Sequence, residues 1–146
     1  MLTRDWQGRE SSKIFDFGVV KVVSKDGEMS AERTHAGELF GSPLYMSPEQ
    51  CSGAAVDGRT DIYALGCVMY LALTGQMPFA GATAIEAIYN RLTQKPFPFQ
   101  QVCPDLVVPD LAETICLKAL ESEAENRYQT MDEMGADLSL LQFAIS

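Results

Sequence analysis

The segment 61–74 restricts the fold more than any other part of the sequence, because its pattern is helical and it is apolar on almost every side. Its apolar members are Ile62, Ala64, Leu65, Cys67, Val68, Met69, Leu71, Ala72 and Leu73. A helix that is hydrophobic all round is buried in a core, and this one is too short to span a bilayer, which takes about 20 residues. We therefore expect a domain built around this helix.

Polar residues mark the starts of the other predicted helices. Capping boxes begin at Ser47, Thr83 and Thr130, where a hydroxyl and a following acidic or amide side chain bind the first free N–H groups of the helix. Asp110 with Glu113 forms a looser version of the same signal. Helices are thus predicted over 61–74, 83–93, 110–121 and 131–143. The proline-rich stretch between the second and third of these is predicted to be irregular.

The composition is that of an acidic chain with enough apolar residues to form a core. The 146 residues are 47% hydrophobic and carry a formal net charge of -9, and this length is typical of one domain. The charge argues against nucleic acid or an anionic membrane as a partner, because phosphates attract Lys and Arg. The N-terminus shows no leader pattern of basic then apolar residues, and we predict a cytoplasmic location.

The four cysteines and the single histidine do not suggest a metal site. Cys51, Cys67, Cys103 and Cys116 show neither C-x-x-C spacing nor a neighbouring histidine. A metal centre or a disulfide framework is therefore not expected, and the thiols are predicted to be small buried hydrophobes in a reduced compartment. His35 is expected to be a solvated loop residue.

Short motifs occur in a fixed order along the chain. They are DFG at 16–18, GSPLYMSPE at 41–49, DGRTDIYALG at 57–66, TGQMPF at 74–79 and ENRY at 125–128. The first of these is common in unrelated proteins by itself, but in kinases it precedes an activation segment and an A-P-E-type tripeptide, here SPE. With these motifs the chain resembles the C-terminal lobe of a Ser/Thr protein kinase. Among such kinases, the motifs are most similar to those of the bacterial enzymes.

The resemblance implies an α+β fold, mostly α-helical, that is protein-kinase-like with an incomplete C-terminal lobe. It divides the chain into a strand region with the DFG motif (1–23), an activation segment (24–49) and a helical lobe (50–146). Within the first region, residues 1–5 resemble the strand and turn that follow the catalytic loop, and 6–12 would form a hairpin tip. The runs KIF and VVKVV around the DFG motif are typical of strands.

The resemblance also assigns the cofactor side of the site, which in the complete family holds ATP and Mg²⁺. Asp16 would be the metal ligand, since a carboxylate that holds magnesium offsets the charge that develops on the phosphates. Phe17 and Gly18 would belong to the same cofactor-binding turn. Ser30 and Thr34 are possible phosphorylation sites, where a phosphate adds about -1.5 to -2 charges and can order the loop. On the residues alone, an ordinary polar residue in a loop explains each of these two positions equally well.

A predicted docking loop, 41–46, would receive the protein substrate. Its members are Gly41, Ser42, Pro43, Leu44, Tyr45 and Met46. By resemblance, Ser42 would touch the incoming hydroxyl, and 43–46 would form the wall for the substrate residue that follows the phosphoacceptor. A turn initiated by proline explains the same residues structurally, and both readings can hold together.

Three further residues are given structural roles by the resemblance. Glu49 and Arg127 would form a buried ion pair between the docking loop and the late helices. Asp61 would mark the start of the central helix, where the family uses it to accept N–H bonds from the catalytic loop. On the residues alone, Asp61 is a first-turn acidic residue favoured by the helix dipole.

Several kinase motifs are not found ahead of Asp16, namely the Gly-rich loop, the ATP-binding lysine and H-R-D-L-x-x-x-N. A missing general base alone lowers the rate by ~10²–10⁴. We therefore expect a fragment of a Ser/Thr kinase that is inactive by itself and binds neither ATP nor Mg²⁺ tightly.

The alternatives are a non-catalytic module that binds a kinase or its substrate through 41–46 and 83–93, and a decayed gene product without a stable fold. The expected partners are a protein substrate or a kinase. Self-association is also expected, through apolar surface left uncovered on the central helix.

Overall fold

The computed structural model describes residues 2–4, 10–12, 43–79 and 81–144. The chain divides into two units, Met1–Glu38 and Leu39–Ser146. In the first, strand β1 (Leu2–Arg4) pairs antiparallel with β2 (Glu10–Ser12). The prediction of a hairpin tip over 6–12 is wrong at its end, because Glu10–Ser12 pair with β1 instead of turning.

The second unit is helical in the part that the structure describes. Its helices are α1 (Pro48–Ser52), α2 (Arg59–Thr74), α3 (Ala84–Thr93), α4 (Phe99–Val102), α5 (Asp110–Ala119) and α6 (Met131–Ala144). Two 3₁₀ turns accompany them, Pro43–Tyr45 before α1 and Ala124–Asn126 between α5 and α6. The mostly helical fold and the four predicted helices are confirmed, with ends that agree within two residues.

The hydroxyl caps at Ser47, Thr83 and Thr130 are confirmed, but only Ser47 forms the predicted capping box, because Glu86 and Glu133 accept from the N–H of the residue before the cap. The Ser47 backbone N–H donates to Gln50 Oε1 at 2.9 Å, and the Gln50 N–H donates to Ser47 Oγ at 3.4 Å, which makes a full capping box. Thr83 Oγ1 accepts from the N–H three residues on at 3.1 Å, and Thr130 Oγ1 does the same at 3.2 Å. Each such cap stabilises the start of a helix by about 1 kcal/mol.

The predicted cap at Asp110 is wrong. Helix α5 begins at Asp110 itself, and Glu113 Oε1 accepts from the Phe99 backbone N–H at 2.7 Å instead of capping α5. That bond ties α5 to α4, a short helix in the stretch predicted to be irregular. Pro98 directly precedes α4, where its missing N–H removes no helical hydrogen bond.

Helix α2 lies at the centre of the core. Buried residues of α2 join two clusters, one with Tyr63, Cys67, Tyr70, Phe79, Phe99, Cys116 and Leu120, the other with Ile62, Ile115, Ala119, Tyr128 and Met134. Burial is not complete, because Val68 is 49% exposed and Ala72 is also exposed. The uncovered apolar strip expected on this helix is therefore present in the described part of the chain.

The cysteines follow the prediction only in part. Cys67 and Cys116 are buried, and burial raises the pKa of each thiol to about 12. Cys51 and Cys103 are only half-buried, because α1 and the end of α4 lie at the edge of the core. All four cysteines are free thiols.

Helices α2 and α5 approach closely at a glycine. A Cβ on Gly66 would lie 3.0 Å from Ala119 Cβ and 3.1 Å from Leu120 Cγ, tighter than ordinary van der Waals contact. The Cys116 thiol also donates to the Gly66 carbonyl, with 3.4 Å between sulfur and oxygen. A side chain at this crossing would therefore force Ala119 or Leu120 to move by a few tenths of an ångström.

We predict that Gly66→Ala lowers the free energy of unfolding by ~1–3 kcal/mol, because overpacking outweighs the better helix propensity of alanine. Gly135→Ala in α6 is the matched control, since a Cβ there meets nothing within 4 Å. That control should be neutral or stabilising by up to ~1 kcal/mol. Urea unfolding followed by circular dichroism measures both, and equal stability of the two variants would contradict the close packing.

Candidate functional site

A bidentate ion pair joins the end of the SPE motif to the residue that follows the second 3₁₀ turn. Arg127 Nη1 lies 2.8 Å from Glu49 Oε1, and Nη2 lies 2.8 Å from Oε2. The Arg127 side chain is fully buried, and that of Glu49 is 14% exposed. Two parallel charge-assisted hydrogen bonds of this kind are among the strongest in proteins.

Arg127 uses its remaining donors on backbone carbonyls. Nε donates to Glu121 O at 2.7 Å, Nη2 to Ser122 O at 3.0 Å and Nη1 to Arg59 O at 3.2 Å. The guanidinium carbon also lies 4.9 Å from the centre of the Tyr63 ring. One side chain therefore ties together α1, the start of α2 and the turn after α5.

The ion pair shifts the titration of Glu49. Burial by itself would raise the pKa of this carboxyl, but hydrogen bonds from Arg127 and Thr60, among others, outweigh it and lower the pKa from 4.5 to about 2. The Thr60 hydroxyl donates to Glu49 Oε1 at 2.9 Å. Glu49 is therefore ionised in the folded chain at any pH well above 2.

The described part of the docking loop, 43–46, lies shortly before Glu49 in the chain. The 3₁₀ turn Pro43–Tyr45 leads into Met46, and Leu44 is 40% exposed. Tyr45 is partly buried against the core around α2. The loop thus presents an apolar side chain at the surface while its neighbour anchors it to the core.

An arginine that sequence reasoning missed also contacts the loop. Arg91 of α3 is fully buried, and its Nη2 donates to the Leu44 carbonyl oxygen at 2.6 Å. It follows the buried Ala87 by one helical turn. That spacing on the inner face of an amphipathic helix is the signal that would have found it.

Most of the other predicted site residues lie outside the part of the chain that the structure describes. Asp16, Phe17, Gly18, Ser30, Thr34, Gly41 and Ser42 lie outside the described residues, and their roles stay predictions. Asp61 lies in the first turn of α2 and is exposed.

Over 2–4, 10–12, 43–79 and 81–144, no three His, Cys, Asp or Glu side chains are grouped to hold a metal ion. In the same ranges, no helix is long and apolar enough to cross a membrane.

A buried central helix, an SPE tripeptide ahead of it and an ion pair from that tripeptide to a late arginine together define the C-terminal lobe of a protein kinase. The family model described as protein kinase domain matches residues 3–136. The chain belongs to the protein kinase family.

Bacterial Ser/Thr kinases are among its relatives. The chain is 40% identical over 126 residues to serine/threonine-protein kinase PknB of Mycolicibacterium smegmatis, which covers 86% of this chain and 19% of that protein. The PknB of Mycobacterium leprae shows the same identity and coverage. The probable serine/threonine-protein kinase PknB of Bifidobacterium longum is 35% identical over 126 residues, 86% of this chain and 18% of that protein. The chain thus spans about a fifth of the length of these relatives.

We predict that Arg127→Met lowers the free energy of unfolding by ~3–5 kcal/mol, because it leaves the Glu49 carboxylate stranded without its counter-ion. The double variant Glu49→Gln with Arg127→Met should recover part of the loss, since both charges are then absent. Arg59→Met is a matched control that breaks a more exposed pair, 2.8 Å from Asp57, and should cost much less. Urea unfolding at pH 7 measures all three, and losses of equal size for Arg127→Met and Arg59→Met would contradict the assignment.

We also predict that acid weakens the wild-type chain more than Glu49→Gln. Because the pKa of Glu49 is about 2 in the folded state against an ordinary 4.5, its stabilising effect is complete above pH 4.5 and is lost as the pH falls towards 2. Melting temperatures measured across this range should therefore fall more steeply for the wild type. Parallel curves for the two proteins would show that Glu49 is not the group that titrates.

Proposed function

We propose that the chain is the substrate-docking part of a Ser/Thr protein kinase, whose complete domain transfers the γ-phosphoryl group of ATP to Ser or Thr of proteins. Membership of the family and the names of the relatives support the reaction class. The observation that carries the docking role is the bidentate Glu49–Arg127 pair, which fastens α1, the helix directly after the docking loop, to the rest of the helical lobe. A loop that must align a peptide needs such a fixed support.

In this proposal the residues of the chain bind and orient the protein substrate. Leu44 is exposed and available for contact with the side chain that follows the phosphoacceptor. Tyr45 and Met46 are half-buried beside it, so the surface offered to that side chain is apolar. Ser42 would lie near the incoming hydroxyl. Ser30 and Thr34 would be points at which phosphorylation orders the activation segment.

Asp16 would hold magnesium, and Phe17 and Gly18 would shape the turn around it. When bound, the nucleotide would supply the phosphoryl group, and the magnesium held by Asp16 would offset the charge that develops in transfer. We propose that the 146-residue chain by itself does not transfer phosphate, because its sequence contains neither a Gly-rich loop nor an H-R-D-type catalytic loop. A cytoplasmic location stays a prediction from the sequence.

A second candidate function is a binding module without catalysis. The outer face of α3 favours it, since Ile85 is 81% exposed, Tyr89 62% and Leu92 45% at one-turn spacing. Exposed apolar surface of this kind commonly marks a protein-binding site. The partner would again be a kinase or a kinase substrate.

We predict that ATP with Mg²⁺ does not raise the melting temperature of the chain alone. The chain should nevertheless melt cooperatively, which a decayed product without a stable fold would not do. A clear nucleotide-dependent rise would contradict the proposal that the chain by itself binds neither ATP nor magnesium tightly.

The kinase assignment is tested with a fusion in which the kinase segments of the Mycolicibacterium smegmatis relative that precede its matching region are placed ahead of residue 1. We expect this fusion to phosphorylate Ser and Thr peptides from labelled ATP, and Asp16→Asn to bring the transfer to background. An inactive but folded fusion would count against the kinase assignment. Capture of the relative's kinase domain by the isolated chain would then favour the binding module.

A further inference from the structure

Helix α3 carries an arginine whose burial is unusual for its position. The side chain of Arg91 is 0% exposed, although the helix has an open apolar face one residue further on at Leu92. Long basic side chains normally extend their charged end to water. Burial of a guanidinium is unfavourable unless its donors are hydrogen-bonded. The contacts of Arg91 therefore indicate what its burial achieves.

The described contacts of Arg91 include the docking loop, α1 and a buried aromatic ring. Nη2 donates to the Leu44 carbonyl at 2.6 Å, and Nη1 lies 3.9 Å from Cys51 Sγ in α1. The guanidinium carbon lies 5.8 Å from the centre of the Phe79 ring, which is itself buried. Arg91 is thus fixed in place by the core on one side and bound to the loop on the other.

The bond to the Leu44 carbonyl sets the orientation of the loop. The peptide unit between Leu44 and Tyr45 is planar, so fixing its carbonyl also fixes the direction of the adjoining backbone. Leu44 lies in a three-residue 3₁₀ turn, which has few internal hydrogen bonds of its own. The backbone that carries the exposed Leu44 side chain is therefore constrained by a residue of α3.

We propose that Arg91 is a positioning residue that holds the docking loop in the shape that accepts an apolar side chain next to the phosphoacceptor. The proposal rests on the function proposed above for the loop. In this role Arg91 would act through the Leu44 carbonyl and not on the reacting atoms themselves. Its planar fork of donors suits this role better than the single ammonium of lysine.

The first test measures amide hydrogen exchange in the chain itself, which needs no activity. We expect Arg91→Met to speed exchange in the segment 44–47 about tenfold or more, because a charge-assisted hydrogen bond to the loop is lost. Arg91→Lys should give a smaller, intermediate increase. Met134→Ala is the matched control, since it removes a buried side chain from the core cluster away from the loop and should not affect 44–47 selectively.

Each outcome of that test decides the proposal. A selective increase at 44–47 supports it, whereas an increase spread evenly over α2 and α5, as in the control, would mean that Arg91 only stabilises the core. If Arg91→Met does not fold, Arg91→Lys against wild type carries the comparison. Unchanged protection of 44–47 in Arg91→Lys would then overturn the positioning role.

The second test uses the fusion with the kinase segments of the relative. Arg91→Met should raise the KM for a peptide with leucine after the phosphoacceptor about tenfold, with kcat within twofold and the KM for ATP unchanged. Arg91→Lys should recover part of the loss. A fall in kcat with an unchanged peptide KM would contradict positioning of the loop. An inactive wild-type fusion would count against the proposed function, and the exchange experiment would still decide the contact with the loop.

Discussion

The Glu49–Arg127 pair is the interaction on which the described lobe depends most. It joins residues 78 positions apart in the chain and is almost fully removed from water. Every donor atom of the guanidinium has an acceptor, and three of the acceptors are backbone carbonyls, two in the turn after α5 and one at the start of α2. Loss of either partner would leave a buried charge without compensation, so the two residues are constrained together. The pair therefore acts as a fixed point between the docking region and the helices that follow.

The fold was largely predictable because its determinants are local. The all-round apolar pattern of 61–74 predicted a central helix, and the hydroxyls at Ser47, Thr83 and Thr130 predicted where helices begin. Glu113 shows that local sequence spacing does not predict every hydrogen bond. Its position three residues after Asp110 suggested a local cap, but its carboxylate binds the N–H of Phe99, which is close only in the folded chain. A side chain that has both a local and a distant partner available cannot be assigned from spacing alone.

The candidate site was predictable only where motif order supplied the information. The resemblance paired Glu49 with Arg127, and the structure brings them together. Arg91 was missed because its acceptor is a main-chain carbonyl, and any residue type at position 44 would offer the same atom. An interaction with the backbone imposes no requirement on the sequence of its partner, so no motif records it. The position of Arg91 one turn after Ala87 on the inner face of α3 indicates its burial, but the atom that it binds follows from the packing of α3 against the rest of the lobe.

The docking loop is consequently held at two points that differ in chemistry. Arg91 binds the carbonyl of Leu44, and Arg127 binds the carboxylate of Glu49 five residues further on. The Leu44 carbonyl carries no titratable proton, so only the second contact has an acceptor that titrates. As the pH falls from 4.5 towards 2, protonation weakens the Glu49 contact while the carbonyl contact persists. Acid is therefore expected to weaken the contact at Glu49 in α1 before the contact at Leu44 within the loop, because a carboxylate acceptor is protonated where a neutral carbonyl is not.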